Sequence, residues 1–201
     1  MSLFINLVTL QLQNNKITGL LPLEVSMLTN LTVMELGSNN LHGAITEEHF
    51  AGLHDLRMID LSDNQLEIAV GPEWLPPFIR LQEAYLAYCH MGPQFPSWMQ
   101  RLPDIDISST GIADQLPYWF STAFSKVTYL DISNNSISGG LPANMEIMLL
   151  KGLRLGCLYL FYKVCVPHTD EPQQGLDRMC LQEEHKCLYL YLLKKGRYYY
   201  A

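Results

Sequence analysis

The stretch Leu56-Arg57-Met58-Ile59-Asp60-Leu61-Ser62-Asp63-Asn64-Gln65-Leu66 decides the fold, because its spacing L-x-x-L-x-L-x-x-N-x-L occurs in six successive copies. The copies begin at Leu7, Leu31, Leu56, Leu81, Leu102 and Val127. The Asn-type position falls in turn on Asn15, Asn39, Asn64, Cys89, Thr110 and Asn135, at steps of 24, 25, 25, 21 and 25 residues. Such a period is typical of a solenoid, in which each copy forms one coil that packs against its neighbours.

The L-x-L core of each copy alternates with period two, so both apolar side chains point to the same side of a short strand. Strands of successive coils would then stack in parallel and enclose a continuous apolar interior. An inward Asn where the chain leaves the strand can satisfy backbone groups that the bend leaves unpaired. Cys89 and Thr110 are smaller donors at this position, and we interpret Cys89 as a structural thiol rather than a nucleophile.

Amphipathic helices are the alternative, because L-x-x-L also fits a helical stripe. Glycine and proline recur just after each copy, as in Gly19-Leu20-Leu21-Pro22 and Gly92-Pro93-Gln94-Phe95-Pro96, and would interrupt helices running through the repeats. Short helical or 3₁₀ pieces remain possible on the return side, for example over Glu47–Leu53.

These motifs resemble the leucine-rich repeat in its plant extracellular form, which adds a trailing G-x-I-P element to each copy. Glu73-Trp74-Leu75-Pro76-Pro77-Phe78 and Leu130-Asp131-Ile132-Ser133-Asn134-Asn135 are similar to plant receptor-like proteins of the ethylene-inducing-xylanase-receptor type. In that family the trailing element builds a second short strand beside the main sheet. Copy three, Leu66-Glu67-Ile68-Ala69-Val70, lacks the element, which puts its second strand in doubt.

The resemblance implies a leucine-rich repeat solenoid, an α/β-type horseshoe arc with a parallel β-sheet on its concave face and irregular or 3₁₀ return segments. We expect the six-repeat array to span residues 1–145 and a non-repeat tail to span 146–201, irregular, poorly ordered or of non-homologous sequence. Charge divides the same way, with 5 basic and 14 acidic residues in 1–145 but 8 and 6 in 146–201. Cys157, Cys165, Cys180 and Cys187 all lie in the tail, and their disulfide pairing is open.

Residues that flank the strand leucines should form the exposed concave face and bind a ligand there. The candidates are mostly acidic or aromatic, with Tyr85 and Tyr88 the more distinctive ones. They are Gln11, Gln13, Glu35, Met58, Asp60, Glu83, Tyr85, Tyr88, Asp104, Asp106, Tyr129 and Asp131. The motif Leu-Asp-Leu-Ser is common in the family. Asp60, Asp106 and Asp131 can therefore also be ordinary solvated residues without a role in binding.

Two sequons predict N-glycosylation, at Asn30 on the return side and at Asn134 near the strand exit. The net charge of −7 without a basic block argues against nucleic acid as a partner. Nucleotide-binding, hydrolase, metalloprotease and kinase motifs do not occur, and Cys180, His185 and Cys187 fit no common zinc spacing. We therefore predict no catalysis, no cofactor and no metal site.

The resemblance implies a non-enzymatic recognition module, a fragment of a plasma-membrane receptor-like protein that faces the extracellular side. Its expected partners are a protein or peptide ligand and a co-receptor kinase, in defence signalling. The alternative is a stand-alone soluble repeat protein, such as a secreted inhibitor of cell-wall-degrading enzymes. No signal peptide, repeat caps or membrane span is visible in the sequence, which we interpret as the mark of an incomplete gene product.

Overall fold

A computed structural model describes residues 6–71 and 74–140, together with the backbone of four short strands further along the chain. Its main feature is a parallel sheet in which each repeat supplies one strand of three residues. The strands are β1 (Thr9–Gln11), β3 (Val33–Glu35), β5 (Met58–Asp60), β7 (Glu83–Tyr85), β8 (Asp104–Asp106) and β9 (Tyr129–Asp131). They pair in chain order without a register shift, so Leu10, Met34, Ile59, Ala84, Ile105 and Leu130 form one inward row.

Behind this sheet, consecutive coils enclose one apolar core. The second strand leucine of each coil forms another buried row beside the first, and burial is nearly complete from Leu31 to Ile137. Burial of this kind stabilises a fold by about 25 cal/mol per Å² of apolar surface removed from water. The predicted leucine-rich repeat solenoid is therefore confirmed.

A second, lateral set of strands runs where each coil leaves the concave sheet. β2 (Thr18–Gly19), β4 (Asn40–Thr46) and β6 (Gln65–Ala69) form a parallel three-stranded sheet. Further along, β10 (Ser138–Gly139) pairs with β12 (Tyr159–Leu160). The sheet thus includes copy three, although that copy lacks the G-x-I-P element.

Alternation explains why copy three forms this second strand. Leu66 and Ile68 of β6 are buried, whereas Gln65, Glu67 and Ala69 are exposed, which is the period-two pattern of a half-buried strand. Copy four has Gly92 and Pro93 but contributes only a single bridge, between Glu67 and His90. The doubt about copy three was therefore wrong, and the interruption of the lateral sheet lies one repeat later.

The return segments are short helices and turns, in agreement with the expected 3₁₀ and irregular geometry. They comprise 3₁₀ turns at Leu23–Met27, Ser97–Met99 and Phe124–Lys126 and single α-helical turns α1 (Glu47–Phe50) and α2 (Phe120–Ala123). Aromatic rings pack between coils here in two clusters. The first comprises Phe50, Trp74, Phe78 and Trp98, and the second comprises Phe95, Trp119, Phe120 and Phe124.

The concave sheet continues past the predicted end of the array. Strand β11 (Gly152–Arg154) pairs in parallel with β9, and β13 (Val164–Pro167) pairs antiparallel with β14 (Arg178–Leu181). Residues 146–201 are therefore not irregular throughout. The side chains of the four tail cysteines lie outside what the structure describes, and their pairing stays a prediction. Within the described residues, no helix has the length and apolar character needed to cross a membrane.

Candidate ligand-binding face

The concave face carries two outward rows of side chains. The first row is Thr9, Val33, Met58, Glu83, Asp104 and Tyr129, and the second is Gln11, Glu35, Asp60, Tyr85, Asp106 and Asp131. The parallel register places residues of one row on neighbouring strands, about 4.8 Å apart along the sheet. Neither row contains a lysine or arginine over these six strands, and the seventh strand, β11, brings Arg154 into register with Asp131 at the far end of the second row. The face is therefore an acidic stripe with aromatic residues among the carboxylates.

The aspartates of the second row have a local structural role. Asp60, Asp106 and Asp131 each accept the backbone N–H of the serine two residues later, at 2.9, 2.9 and 3.0 Å. This bond holds the turn by which the chain leaves the strand, which explains why Asp-x-Ser recurs. Asp131 also differs from the expected exposure, because it is only 3% exposed and lies beside β11 rather than at the edge of the sheet.

Asp60 depends on a glycine that sequence reasoning did not single out. Its carboxylate lies over Gly37 of the preceding repeat, where an added Cβ would stand 2.6 Å from Oδ2 of Asp60. The signal was present in the sequence, since Gly37 holds the position that Ser62 holds one repeat later. Gly37 therefore allows the two turns to approach each other.

Carboxylates are densest around Tyr85. Glu83 and Asp104 are register partners on β7 and β8, and the hydroxyl of Tyr85 donates to Glu83 Oε2 at 3.1 Å. The hydroxyl of Thr128 donates to Asp104. Burial, reinforced by the neighbouring Glu83 carboxylate and its hydrogen bond, raises the pKa of the Tyr85 phenol above its ordinary value. Tyr85 therefore stays a neutral hydrogen-bond donor at any physiological pH.

Towards the first repeats the face is amide-rich. Gln11 and Gln13 each donate from Nε2 to Oε2 of Glu35, at 2.8 and 2.9 Å. Half-buried Met58 and Tyr129 lie further along the first row, and the Tyr129 hydroxyl donates to Asp131 at 3.4 Å. All twelve candidate residues belong to described strands or to the turns that follow them, so they share one side of the molecule.

Tyr88 occupies an unusual backbone position. In each repeat the residue before the Asn-type position has a left-handed φ, between 51° and 62°. Five repeats place a small polar residue there, Asn, Asp or Ser, and Asn and Asp are enriched in this conformation. Tyr88 has a φ of 62° and is 60% exposed at the rim of the concave face. A bulky aromatic residue held in this geometry is available for contact with a partner.

The side chains of Asn39, Asn64 and Asn135 lie between coils and bond to their own coil and to the preceding one. Asn64 donates through Nδ2 to the carbonyls of Leu36, Leu61 and Ser62 and accepts the N–H of Leu41. Asn39 and Asn135 repeat this pattern in their own repeats, whereas Asn15 is exposed and bonds only within its own turn among the described residues. Thr110 donates its hydroxyl to the Ile107 carbonyl at 2.8 Å.

Cys89 occupies the Asn-type position of the fourth repeat, where its thiol is a weaker hydrogen-bond donor than an amide. Its sulfur donates to the carbonyl of Leu61 at 3.2 Å, and the residue is fully buried. Burial, reinforced by the carboxylates of Asp60 and Asp63, raises the pKa of the Cys89 thiol to about 12. The thiol is therefore protonated at neutral pH, the opposite of what a nucleophilic cysteine requires.

Both candidate glycosylation residues, Asn30 and Asn134, are exposed. Asn30 follows the first 3₁₀ turn on the return side. Asn134 lies at the left-handed position of the sixth repeat, with a φ of 54°. Glycosylation at these two residues stays a prediction.

Comparisons with known proteins agree with this architecture. Leucine rich repeat family models match residues 5–66 and residues 126–147. Receptor-like protein EIX2 of Solanum lycopersicum is 45% identical over 100 residues, which are 48% of this chain and 10% of that protein. Receptor-like protein EIX1 of the same species is 42% identical over 109 residues, 53% of this chain and 10% of that protein.

Among solved structures, the ectodomain of the receptor kinase GASSHO1/SCHENGEN3 from Arabidopsis thaliana, in complex with CASPARIAN STRIP INTEGRITY FACTOR 2, superposes with a TM-score of 0.67. It is 28% identical, and the match covers 76% of this chain and 19% of that one. The chain thus has the leucine-rich repeat fold. Its repeats are similar to those of the receptor-like proteins EIX1 and EIX2, and the match spans about a tenth of the length of those two relatives.

Proposed function

We propose that this chain is part of a non-enzymatic recognition module of a plant cell-surface receptor-like protein, exposed on the extracellular side of the plasma membrane. Its concave face binds a protein or peptide ligand in defence signalling, together with a co-receptor kinase. The similarity to EIX1 and EIX2 supports the receptor class. The observation that carries the ligand-binding role is the block formed by Glu83, Asp104 and Tyr85.

The chemistry of this block favours a basic ligand segment. Glu83 and Asp104 are side by side on neighbouring strands, and no lysine or arginine stands in either outward row between β1 and β9. A lysine or arginine from a partner would relieve this like-charge pairing and could also contact the faces of Tyr85 and Tyr129. Charge complementarity of this kind mainly raises the association rate and the selectivity for cationic partners.

The test is binding of the full chain to a purified fungal xylanase and to a panel of basic fungal elicitor proteins. The variant Glu83→Gln/Asp104→Asn should weaken the Kd by roughly tenfold, which corresponds to about 1.4 kcal/mol. The matched control is Glu24→Gln/Glu48→Gln, which removes two exposed carboxylates on the return side.

Equal losses in the two variants would overturn the assignment to the concave face. The activity of the bound xylanase gives a second readout. Full inhibition on binding would favour the alternative, a secreted inhibitor, whereas an active bound enzyme agrees with a receptor that senses it.

A further inference from the structure

A cleft of about 170 Å³ opens where the lateral sheet stops, away from the concave face. One wall is the outer edge of β6, and the other is the segment that begins at His90 and runs to Trp98. Lining side chains include Ile68, Val70, Met91, Phe95 and Trp98. The lining of the cleft is thus mixed, with apolar side chains beside polar groups, and a strand edge bounds one side.

The hydrogen bonding between β6 and repeat four ends after one bridge, because the next backbone donor of repeat four points elsewhere. His90 donates its N–H to the Leu66 carbonyl at 2.8 Å and accepts the N–H of Ile68 at 2.7 Å. The next donor of repeat four, the N–H of Gly92, turns to the Thr110 carbonyl of repeat five instead. The following residue, Pro93, also faces repeat five, where its carbonyl accepts the N–H of Ala113 at 2.8 Å.

Backbone groups of β6 therefore face the cleft. In a strand, alternate residues present their N–H and C=O groups to the same neighbour. Because Ile68 points its N–H towards repeat four, its carbonyl and the N–H of Val70 point the same way. No described residue of repeat four continues the ladder at that level, so the strand edge is open there.

The opposite wall is packed by aromatic rings and includes one buried polar group. Trp98 packs against Trp74 at 5.5 Å between ring centroids, and Phe95 packs against Trp119 at 5.8 Å. The indole Nε1 of Trp98 is buried and makes no hydrogen bond within the part of the chain that the structure describes. A buried N–H without an acceptor costs free energy that a hydrogen-bond partner would recover.

We infer that this cleft takes an extended peptide segment, which adds as a strand to the open edge of β6. Its main chain pairs with the Ile68 carbonyl and the Val70 N–H, and an apolar side chain enters between Phe95 and Trp98. Glu67 belongs to the lining, and none of the described lining residues is a lysine or arginine, so a basic residue next to the apolar one fits best. An exposed edge is the usual template for such strand addition.

The test uses the full chain and a phage-displayed library of random peptides of about six residues, the usual length of a strand. Selected peptides should bind wild type and lose roughly tenfold in affinity for the variant Glu67→Lys. Glu48→Lys is the matched control, because it adds the same charge change on the return side. Glu83→Gln/Asp104→Asn should leave these peptides bound, which separates this site from the concave face.

A backbone-methylation scan of one selected peptide supplies the decisive readout. Strand addition predicts a period-two pattern, in which N-methylation of alternate residues costs roughly three- to tenfold in affinity, the value of one backbone hydrogen bond, and methylation between them costs little. A flat scan, or peptides that bind Glu67→Lys and wild type equally, would overturn the proposal. Failure to select any peptide would also count against it.

Discussion

At position 89 a cysteine replaces the asparagine that bonds coil to coil elsewhere. Asn64 makes three bonds through its amide nitrogen, whereas the Cys89 sulfur makes one weak bond to Leu61. The adjacent Tyr88 holds a left-handed backbone that Asn, Ser or Asp adopts in the other repeats. Repeat four therefore departs from the consensus at two neighbouring residues, next to the concave face on one side and the cleft on the other.

Titration of Cys89 should make stability fall in alkaline solution. The thiol has a pKa of about 12 in the folded chain and an ordinary value near 9.0 in the unfolded chain. Between these values the unfolded state releases the proton first. The stabilisation that the protonated thiol contributes is therefore fully present below pH 9 and declines as the pH rises towards 12. The measurement is urea unfolding across this range, with Cys89→Val as the non-titrating control.

The difference in slope between wild type and Cys89→Val isolates the thiol from the lysines and tyrosines that titrate in the same range. If the free energies of unfolding of wild type and Cys89→Val fell equally with rising pH, the raised pKa of the buried Cys89 thiol would be contradicted. The same folded chain should also react slowly with a thiol reagent at neutral pH and faster in urea, because only unfolding exposes the sulfur.

At the scale of the element, neighbouring turns of the concave sheet fit together through Gly37. Gly37→Ala should destabilise the chain by about 1–3 kcal/mol, because the new methyl group meets the Asp60 carboxylate. The same substitution in an Asp60→Ala background should cost less, since the obstructing group is gone. Thermal or urea unfolding of the four members of this double-mutant cycle checks the coupling.

Additive losses in that cycle would show that the two residues do not interact. Gly19→Ala is a useful comparison, because position 19 has open space but a φ of 101°. A loss there reports backbone strain alone, whereas the loss at Gly37 should report contact with Asp60.

Sequence periodicity predicted the concave strands, because Leu-x-Leu fixes which side chains point inward at every copy. It missed the seventh strand, since Leu150-x-x-Leu153-x-Leu155-x-x-Leu158 carries leucine at the Asn-type position. The trailing G-x-I-P element was a poor guide to the lateral sheet, where alternation in β6 and the turn of the Gly92 N–H towards repeat five decide which strands form. The cleft could not be predicted, because its opening depends on which carbonyl accepts the Gly92 N–H.

At the scale of the whole molecule, stability should vary along the array. Val8 and Leu12 of the first coil are 52% and 40% exposed, whereas Leu61 and Ile107 of inner coils are almost fully buried. Because each coil is stabilised mainly by its neighbours, the first coil should open most often. In hydrogen exchange read by mass spectrometry, residues 56–66 should be protected at least about tenfold more than residues 7–17, which corresponds to about 1.4 kcal/mol.

Equal protection of the two segments would show instead that the array opens as one cooperative unit. Concentration provides a control, because the exposed apolar residues of the first coil also favour association. Protection of residues 7–17 that rises with protein concentration would identify self-association as its source.

The two aromatic clusters of the return side have a consequence for the shape of the binding face. Ring centroids from successive coils stand 5.3 Å apart between Phe50 and Trp74 and 5.8 Å apart between Phe95 and Trp119. The strands on the inner side are about 4.8 Å apart, slightly less than the spacing of these rings. The rings therefore act as spacers between the return segments of neighbouring coils. A substitution of Trp74 or Trp119 by a smaller residue would flatten the surface that a ligand meets, without touching the ligand at all.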